Sequence, residues 1–504
     1  MSDKANVQLV SMADIARMAG QSRATVGNWK AREDDFPEEH SRGKRGPLYD
    51  RELIARWLAA KGRITATAPI GSQLFGQVDE EFARGFDPDV VLELWLVVLA
   101  LRCLLPEASW SRIAGAEPAM LEDQVRSAAH QWLGDAADLL PRVALPVAGL
   151  EGVVRGVSAL DQGGILDTAD FVLDRLLQGH GHMGHGKFST PRSLRSLMTE
   201  LCGPGASFYD PAAGAGRLLI EVAEASNTFL PPALFGQEPN VHIRSICELN
   251  LKIHGLEATI KLDNVLFYDL FPDAQFDRVV CDPPWGQRLP ETSALVDDPR
   301  WIWGEPTGDA STAWIQHCLY HLGPEGKAVI ALPPKILFEK GRTARTLQGI
   351  IKAGLLEAVV SLPPGLLPGA SIGCAVLVFA KGRPTVDGKP SPALMINIDD
   401  AQLEGVGRER SLAPGLIASI GEIYRNWTSG TSPNSEIAST AQYDDLAENA
   451  FDLSPRRYVV PSTVLVDTTA LLHQQQELIR RLGDSLDTCK KTDAQLIRLL
   501  QEQS

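Results

Sequence analysis

Several absences in the sequence narrow what the protein can be. Its seven cysteines include no Cys-x-x-Cys pair, which argues against a structural zinc site and favours reduced thiols. Apolar runs are short, and the most apolar one, Leu94 to Leu101, lies between Glu93 and Arg102 and cannot span a bilayer. The first residues also lack the apolar run of a signal peptide. We therefore expect a cytoplasmic protein that does not engage a membrane.

The chain also lacks an excess of positive charge. Its 48 Lys and Arg are outnumbered by 63 Asp and Glu, which gives a formal net charge of −15. Such a protein as a whole repels a phosphate backbone, so any contact with nucleic acid needs a local basic surface or a partner. With 504 residues, of which 44% are hydrophobic, the chain is globular and long enough for roughly two to four domains.

Residues 1–64 predict a small domain of the winged helix-turn-helix type. Ser11 and Ser22 can each cap a short helix, and Gly20 separates the two helices. Polar and basic side chains that could reach bases or phosphates follow: Arg23, Thr25, Asn28, Lys30, Arg42, Lys44 and Arg45. The pattern of residues 9–63 resembles the winged-helix domains of excisionase and MerR-type regulators, which implies DNA binding. The alternative is a three-helix module that docks another protein.

The next segments predict a linker and a helical domain. Residues 65–73 are small and polar, which predicts a linker over 65–86, whereas residues 87–180 form amphipathic helical patterns. A glycine-rich stretch then places His180, His182 and His185 at a spacing that could bind a metal. Its interspersed glycines make it too flexible to preorganise such a site, and no Cys or carboxylate adjoins it. We predict a mobile loop that closes over a ligand, and no metal.

From Phe208 onward, strands and helices alternate, and four predicted strands end in acidic residues. These residues are Asp210, Glu238, Asp263 and Asp282. In a parallel sheet they share one edge, which is where ligands bind, and Glu238 is placed to grip a ribose diol. The turn after Asp210 contains Gly214 and Gly216, which let the backbone approach a ligand closely. It does not have the Gly-x-Gly-x-x-Gly spacing of a dinucleotide fingerprint.

The last of these strand ends is the tetrapeptide Asp282-Pro283-Pro284-Trp285. Two Val residues precede it and predict a buried strand, and the two prolines fix a rigid, extended turn. The turn offers a carboxylate, two carbonyls and a flat aromatic ring, which together suit an exocyclic amine. The alternative is a proline-rich turn with a buried Trp. Later strands are predicted at 327–332, 356–362 and 375–379, and they complete an α/β fold with a seven-stranded, Rossmann-like sheet.

In their order along the chain, these elements closely resemble the catalytic domain of N6-adenine DNA methyltransferases, in particular the modification subunit of type I restriction-modification systems. The matching elements are 186–192 (GxFxTPR), 210–216 (DPxxGxG), 236–238 with 250–255 (GQE…NLxxHG), 282–285 ((N/D)PP(F/Y/W)), and further runs at 300–304, 313–317 and 449–459. The resemblance implies a methyltransferase domain at 181–385 that uses S-adenosyl-L-methionine. It implies cofactor contacts from Phe188, Thr190, Pro191, Asp210, Ala212, Gly214, Gly216, Glu238 and Asp263, and catalysis by Asp282, Pro283, Pro284 and Trp285.

Asp282 is one of three departures from that family, because type I subunits usually carry Asn there. A carboxylate can also accept a hydrogen bond from an amine, so the change does not exclude activity. The segment 368–374 lacks the Pro that usually follows Ile372. The N-terminal domain is not a standard part of such subunits.

The resemblance implies a site-specific methyltransferase acting on adenine N6 of a base flipped out of double-stranded DNA. Asp282 and the Pro283 carbonyl would hold the amine, and Trp285 would stack on the base. The chain has no Pro-Cys dipeptide, which cytosine-C5 chemistry requires. Two alternatives are a regulator that binds DNA and senses S-adenosylmethionine through an inactive domain, and an enzyme that methylates a protein Gln amide.

The C-terminal part predicts contact with a partner. Residues 386–465 are expected to form an irregular tail on the catalytic domain, and residues 466–504 a docking helix. An apolar stripe on that helix includes Leu471, Leu478, Leu482 and Leu486. Because this part is small for a target-recognition domain, we expect a separate specificity subunit or self-association through the helix. A self-sufficient enzyme that reads DNA with residues 9–63 is the alternative.

Overall fold

The computed structural model describes most of the chain after residue 86. The described residues are 87–178, 190–226, 230–289, 297–306, 308–367, 372–404, 410–433, 435–459 and 479–480, with scattered positions between 9 and 61. Several predicted features lie outside them: the three His of the glycine-rich stretch, Phe188, nearly all of the docking helix, and the side chains of Arg23, Thr25, Asn28, Arg42, Lys44 and Arg45.

The N-terminal region contains a small antiparallel sheet. Strands β1 (Leu9–Ser11), β2 (Ser41–Gly43) and β3 (Gly46–Asp50) pair in the order β1-β3-β2. The buried residues beside it are Ile15, Val26, Tyr49, Ile54, Trp57 and Leu58. The β2–β3 hairpin falls at the basic stretch of the sequence, and a winged-helix identity for this region stays a prediction.

The segment 87–178 contains five α-helices. They are α1 (Pro88–Leu104), α2 (Glu107–Ala114), α3 (Pro118–Leu133), α4 (Val147–Ser158) and α5 (Gln162–Gln178). Helix α1 starts at Pro88, and the Asp87 side chain caps it by accepting from the Asp89 amide at 3.0 Å. The apolar run from Leu94 to Leu101 is buried in this helix. No helix among the described residues is long and apolar enough to cross a membrane.

A nine-stranded mixed sheet forms the centre of the fold. Its strands are β4 (Ser207–Asp210), β5 (Ala233–Glu238), β6 (Ala258–Leu262), β7 (Phe276–Cys281), β10 (Leu322–Leu332), β11 (Leu356–Leu362), β12 (Cys374–Ala380), β15 (Ala393–Asn397) and β18 (Ala438–Ala441). They lie in the order β18-β15-β11-β12-β10-β7-β4-β5-β6. The five strands from β10 to β6 run parallel, and β12 is antiparallel to both of its neighbours.

The prediction of seven strands is wrong in number, because β15 and β18 extend the sheet beyond β11. The prediction of an irregular tail at 386–465 is wrong for the same reason, since both strands and two helices lie in that segment. The strand β15 pairs with β11 in parallel, and β18 pairs with β15 in antiparallel fashion. Strand β18 is short and has no large apolar residue, so its pairing with β15, more than its own sequence, makes it a strand.

Helices and short hairpins complete the structure. The helices are α6 (Arg192–Cys202), α7 (Arg217–Ala225), α8 (Val241–Ile253), α9 (Ser311–Tyr320), α10 (Arg342–Lys352), α11 (Pro414–Thr428) and α12 (Tyr443–Glu448). Two-residue strands pair as β8 (Arg288–Leu289) with β9 (Gly308–Asp309), β13 (Thr385–Val386) with β14 (Lys389–Pro390), and β16 (Leu403–Glu404) with β17 (Ser411–Leu412). Side chains alternate between cores on the two faces of the sheet, as Val329 and Ile330 of β10 do.

Candidate active site

The carboxyl ends of the parallel strands form the wall of one cleft, here called the first cleft. Its volume is about 810 Å³ including the open mouth, which is within the range of ligand sites. Asp210 at the end of β4, Glu238 at the end of β5 and Asp282 just after β7 all line it. Three of the four acidic residues at predicted strand ends therefore line one cleft.

The predicted cofactor residues divide into two sets. Thr190, Asp210, Ala212, Gly214 and Glu238 line the first cleft. Pro191, Gly216 and Asp263 are not among its lining residues. Beyond β6, the neighbours Asn264 and Val265 form the wall in place of Asp263. The Asp263 carboxylate accepts from the Asn264 amide at 2.8 Å, so it contributes to the shape of this loop.

The glycine-rich turn is tied to the two buried carboxyl groups beside it. Asp210 Oδ1 accepts from the Ala212 amide at 2.9 Å, and Glu238 Oε2 accepts from the Gly214 amide at 3.1 Å. The other Glu238 oxygen accepts from the Asn240 amide at 2.9 Å. Gly214 and Gly216 have φ of 51° and 76°, a left-handed backbone that favours glycine. The turn is therefore preorganised, with small residues towards the cleft.

The first cleft is acidic and buried. Loss of hydration raises the pKa of Asp210 to about 8, and burial also raises the pKa of Glu238. Arg217 is the cation among the lining residues, and it already pairs with Asp174 at 2.6 Å and Asp170 at 3.5 Å. Because Arg217 is engaged by these two carboxylates, it does little to oppose the raised pKa values, and a bound ligand that carries positive charge would lower the pKa of both carboxyl groups and favour their ionised forms.

Asp282 is held by a relay of hydrogen bonds from α6. Thr190 Oγ1 donates to Asp282 Oδ2 at 2.6 Å, and Arg195 Nη1 donates to the Thr190 carbonyl at 2.7 Å. Arg195 Nε in turn donates to Glu221 at 3.0 Å. Desolvation raises the pKa of Asp282 to about 6, and the Thr190 hydrogen bond acts in the opposite direction. Asp282 Oδ1 has no partner among the described residues.

The prolines and Trp285 border a second, smaller cleft. This second cleft is lined by Pro283, Pro284, Trp285, Trp314 and Pro333, among others, and Pro284 and Trp314 also line the first cleft. The Trp285 indole N–H donates to the Ala331 carbonyl at 3.4 Å, and its half-buried ring packs on the core. The tetrapeptide thus faces both clefts, with the carboxylate towards the first and the indole towards the second.

Several wall residues were not predicted from the sequence, among them Asn264, Gln287 and Trp314. Trp314 lies on α9, and its indole N–H donates to Gln287 Oε1 at 3.2 Å. The run 313–317, which matches the methyltransferase family, contains Trp314 and could have indicated it. Gln287 lies directly after the Asp282–Gly286 turn, and its position gives no signal beyond that proximity.

A buried polar network supports β4 and β7 from behind. Arg300 Nη1 donates to His317 Nδ1 at 3.0 Å, so His317 Nε2 carries the proton and donates to the Tyr209 hydroxyl at 3.1 Å. Burial lowers the pKa of His317 well below its usual range, with smaller contributions from His321 and Arg300. Asp269, His317 and His321 have ligand-type atoms within 4.8 Å of one another, but all four ring nitrogens already have protein partners. The cluster therefore acts as structural support.

Lys30 is the one predicted DNA contact whose side chain is described. Its ammonium donates to the Tyr49 hydroxyl at 2.6 Å and lies 5.3 Å from the centroid of that ring. The side chain is nevertheless exposed, so contact with a phosphate remains compatible with this position.

Known proteins match the segment that builds this site. Residues 167–466, more than half of the chain, match the N-6 DNA Methylase family. The chain is 28% identical over 347 residues to the type I restriction enzyme MjaIX methylase subunit of Methanocaldococcus jannaschii, covering 63% of this chain and 62% of that one. It is 25% identical over 344 residues to the HindI methylase subunit of Haemophilus influenzae, covering 65% and 75%. The match thus spans less than two thirds of the first relative.

Solved structures share the fold. The type I restriction-modification methyltransferase subunit from Streptococcus thermophilus superimposes with a TM-score of 0.63 at 17% identity, over 78% of this chain and 99% of that chain. A chain from a structure on complex assembly and conformational transition of the type I system gives a TM-score of 0.60 at 17% identity, over 84% and 99%. With the extent of the family match, these findings show that the chain belongs to the N-6 DNA Methylase family and has the α/β methyltransferase fold of type I modification subunits.

Proposed function

We propose that the protein transfers a methyl group from S-adenosyl-L-methionine to N6 of adenine in DNA. The observation that carries the proposal is the position of Asp282. Its carboxyl group shares one cleft with Glu238 and the glycine-rich turn, and one of its oxygens has no partner among the described residues. A carboxylate that can accept from an amine thus lies beside a cleft built for a cofactor.

The chemistry of the first cleft fits S-adenosylmethionine. When bound, this cofactor supplies an electrophilic methyl group on a positively charged sulfonium. Its net positive charge would favour the ionised forms of the buried Asp210 and Glu238 carboxyl groups, which line the cleft. Glu238 retains lone pairs for the ribose hydroxyls, because each of its oxygens accepts only one amide hydrogen. Gly214 and Ala212 leave space for the chain of the cofactor.

Asp282 and Pro283 would prepare the amine for attack. The adenine amine is a weak nucleophile, because its lone pair is delocalised into the ring. Hydrogen bonds from the amine to Asp282 Oδ1 and the Pro283 carbonyl favour a pyramidal nitrogen with its lone pair directed at the methyl group. Thr190 holds Asp282 Oδ2, so the free oxygen has one orientation. The chain needs no covalent intermediate for this step.

The target base would enter from the side of the second cleft, where Trp285 and Trp314 offer aromatic surface.

Because the chain carries a net charge of −15, we propose that most DNA affinity comes from a separate specificity subunit. The names of the relatives, which are subunits of type I restriction enzymes, support this assignment. Residues 1–64 would add a local DNA contact, and the helix at 466–504 would dock the partner or a second copy. We place the protein in the cytoplasm.

The test is methyl transfer from labelled S-adenosylmethionine to adenine-containing DNA, with the protein alone and with candidate specificity subunits. We expect transfer by the wild type and none by Asp282→Ala, while calorimetry shows that this variant still binds the cofactor. Failure of the wild type to bind the cofactor would refute the proposal. Binding without transfer under all these conditions would instead favour a sensor of S-adenosylmethionine.

A further inference from the structure

We infer that Gln287 donates a hydrogen bond to a ring nitrogen beside the amine of the target base, and that Trp314 fixes the direction of its amide. The inference rests on the proposed function and assigns a residue that recognises the base. Gln287 is suited to this role because it lines both the first and the second cleft, next to Asp282 and Trp285.

Trp314 determines which end of the Gln287 amide faces the clefts. An indole N–H can only donate, so the Gln287 atom at 3.2 Å from Trp314 Nε1 must be the carbonyl oxygen. The opposite orientation would bring two N–H donors together. Gln287 Nε2 is therefore on the other side of the amide, where it has no hydrogen-bond partner among the described residues. It is a free donor in the wall of the site.

The position of Gln287 is held by α9 and the hairpin that precedes it. The Gln287 carbonyl accepts from the Ala310 amide at 3.0 Å, and the Ala310 carbonyl accepts from the Trp314 amide at 3.0 Å. Trp314 itself is buried, and Arg288 pairs with Asp309 in the β8–β9 hairpin. The donor is thus preorganised and does not depend on a flexible surface side chain.

Together, Asp282 and Gln287 offer an acceptor beside a donor. Asp282 Oδ1 accepts from an amine, and Gln287 Nε2 donates to an aromatic nitrogen next to it. Adenine presents this pattern with N6 and either N1 or N7, and cytosine presents it with N4 and N3. Guanine O6 and thymine O4 are carbonyl oxygens, which would face the Asp282 carboxylate without a hydrogen between them. The pair therefore disfavours these two edges and accepts the N6 edge of adenine.

The experiment combines variants of Gln287 with altered bases. DNA carrying adenine, 1-deazaadenine or 7-deazaadenine at the methylated position, identified by comparing methylomes with and without the gene, is the substrate. We expect the wild type, assayed with its specificity subunit, to lose about tenfold in kcat/KM on one of the two analogues. Gln287→Met, which keeps the length but removes the donor, should lose about as much on adenine and no longer distinguish that analogue. Gln287→Glu should be weaker still, because it faces the ring nitrogen with an acceptor.

Calorimetry of cofactor binding shows whether each variant is folded. It also separates an effect of the substitution on the cofactor from an effect on the target base. The inference is overturned if the wild type uses both analogues as well as adenine, or if Gln287→Met still distinguishes them. It is also overturned if the variants change only cofactor affinity, since Gln287 would then contact the cofactor. Absence of transfer by the wild type to any adenine-containing DNA would overturn the proposed function, and this inference with it.

Discussion

At the scale of single residues, the chemistry of Asp282 depends on its surroundings. An Asn in this position would be neutral at every pH, whereas a carboxyl group must be ionised to be a strong acceptor. Its desolvated position raises its pKa to about 6, and Thr190 opposes that shift by donating to Oδ2 at 2.6 Å. Asp282 can therefore act as a hydrogen-bond acceptor near neutral pH, because the Thr190 hydroxyl donates to its ionised form.

Thr190→Val should make methyl transfer more sensitive to acid. Loss of the hydroxyl raises the pKa of Asp282 further, so kcat should fall as the pH drops from about 8 towards 6, where the wild type still keeps about half of its carboxylates. Other groups face Asp282 as well: Asp210 from β4, with a pKa raised to about 8, Cys281 from β7 and Cys374 from β12. The measurement is kcat against pH at saturating cofactor and DNA.

Two further variants assign the change to Asp282. Thr190→Ser keeps the hydroxyl and should retain the profile of the wild type. In Asp282→Asn, the fall of kcat at low pH that is caused by protonation of Asp282 should disappear. Any fall that is caused by protonation of Asp210 should remain. A profile that stays unchanged in Thr190→Val would show that the hydroxyl does not control this carboxyl group.

The residues of the site differ in how far the sequence can predict them. Asp210, Glu238 and Asp282 are predictable because they end strands, and parallel strands place their carboxyl ends on one edge. Gln287 and Trp314 are not, because they meet through a contact between a loop and α9, 27 residues apart in the chain. The role of Thr190 as donor to Asp282 likewise spans 92 residues. Such contacts follow from tertiary packing and leave no periodic pattern.

At the scale of elements, the residues of each strand explain which parts of the fold could be predicted and which could not. Strand β11 has the bounds predicted for it, 356–362, since its apolar run is bounded by turn residues. Strand β18 was missed, because its sequence Ala-Ser-Thr-Ala contains no large apolar residue. Burial against β15 holds it in the sheet. The glycine-rich turn before α7 contributes Ala212 and Gly214 to the wall of the first cleft.

Gly216→Ala should destabilise this turn and weaken cofactor binding. Gly216 has φ of 76°, and a Cβ there would lie 2.8 Å from Cys247 Sγ. Backbone strain and steric crowding therefore both reduce the stability of this variant. Gly255→Ala is the matched control, because Gly255 has φ of 69° but nothing within 4 Å of its added Cβ. We expect a loss in unfolding free energy of about 1–2 kcal/mol for the control and about 2–4 kcal/mol for Gly216→Ala.

Urea denaturation and cofactor calorimetry on both variants would measure these effects. Adding Cys247→Ala to Gly216→Ala should restore part of the cofactor affinity, since it removes the atom that the new methyl group meets. Equal stability losses in the two glycine variants would mean that the contact with Cys247 is relieved by a small shift and that backbone strain alone is felt.

At the scale of the whole molecule, the helical region and helix α8 of the catalytic domain share one hydrophobic core. The predicted boundary between residues 180 and 181 divides a continuous core, in which α1–α5 pack with Ile243, Ile246, Leu249 and Ile253 of α8. Polar contacts cross the same boundary: His242 and Glu93 are 2.6 Å apart, and Arg217 donates to Asp174 at 2.6 Å. The family match, which begins at residue 167, also crosses it.

A fragment of residues 181–466 should therefore fail to fold, although it contains every residue assigned to the site. Without α1–α5 it would expose the apolar face of α8 and leave Arg217, which lines the first cleft, without its two carboxylate partners. A fragment of residues 65–504, which lacks only the N-terminal domain, is the control and should bind S-adenosylmethionine with the affinity of the full chain. Size-exclusion chromatography and cofactor calorimetry on both fragments provide the measurement. A soluble 181–466 fragment with full cofactor affinity would show that the helical region is an independent domain and that the shared core is not needed to hold the site.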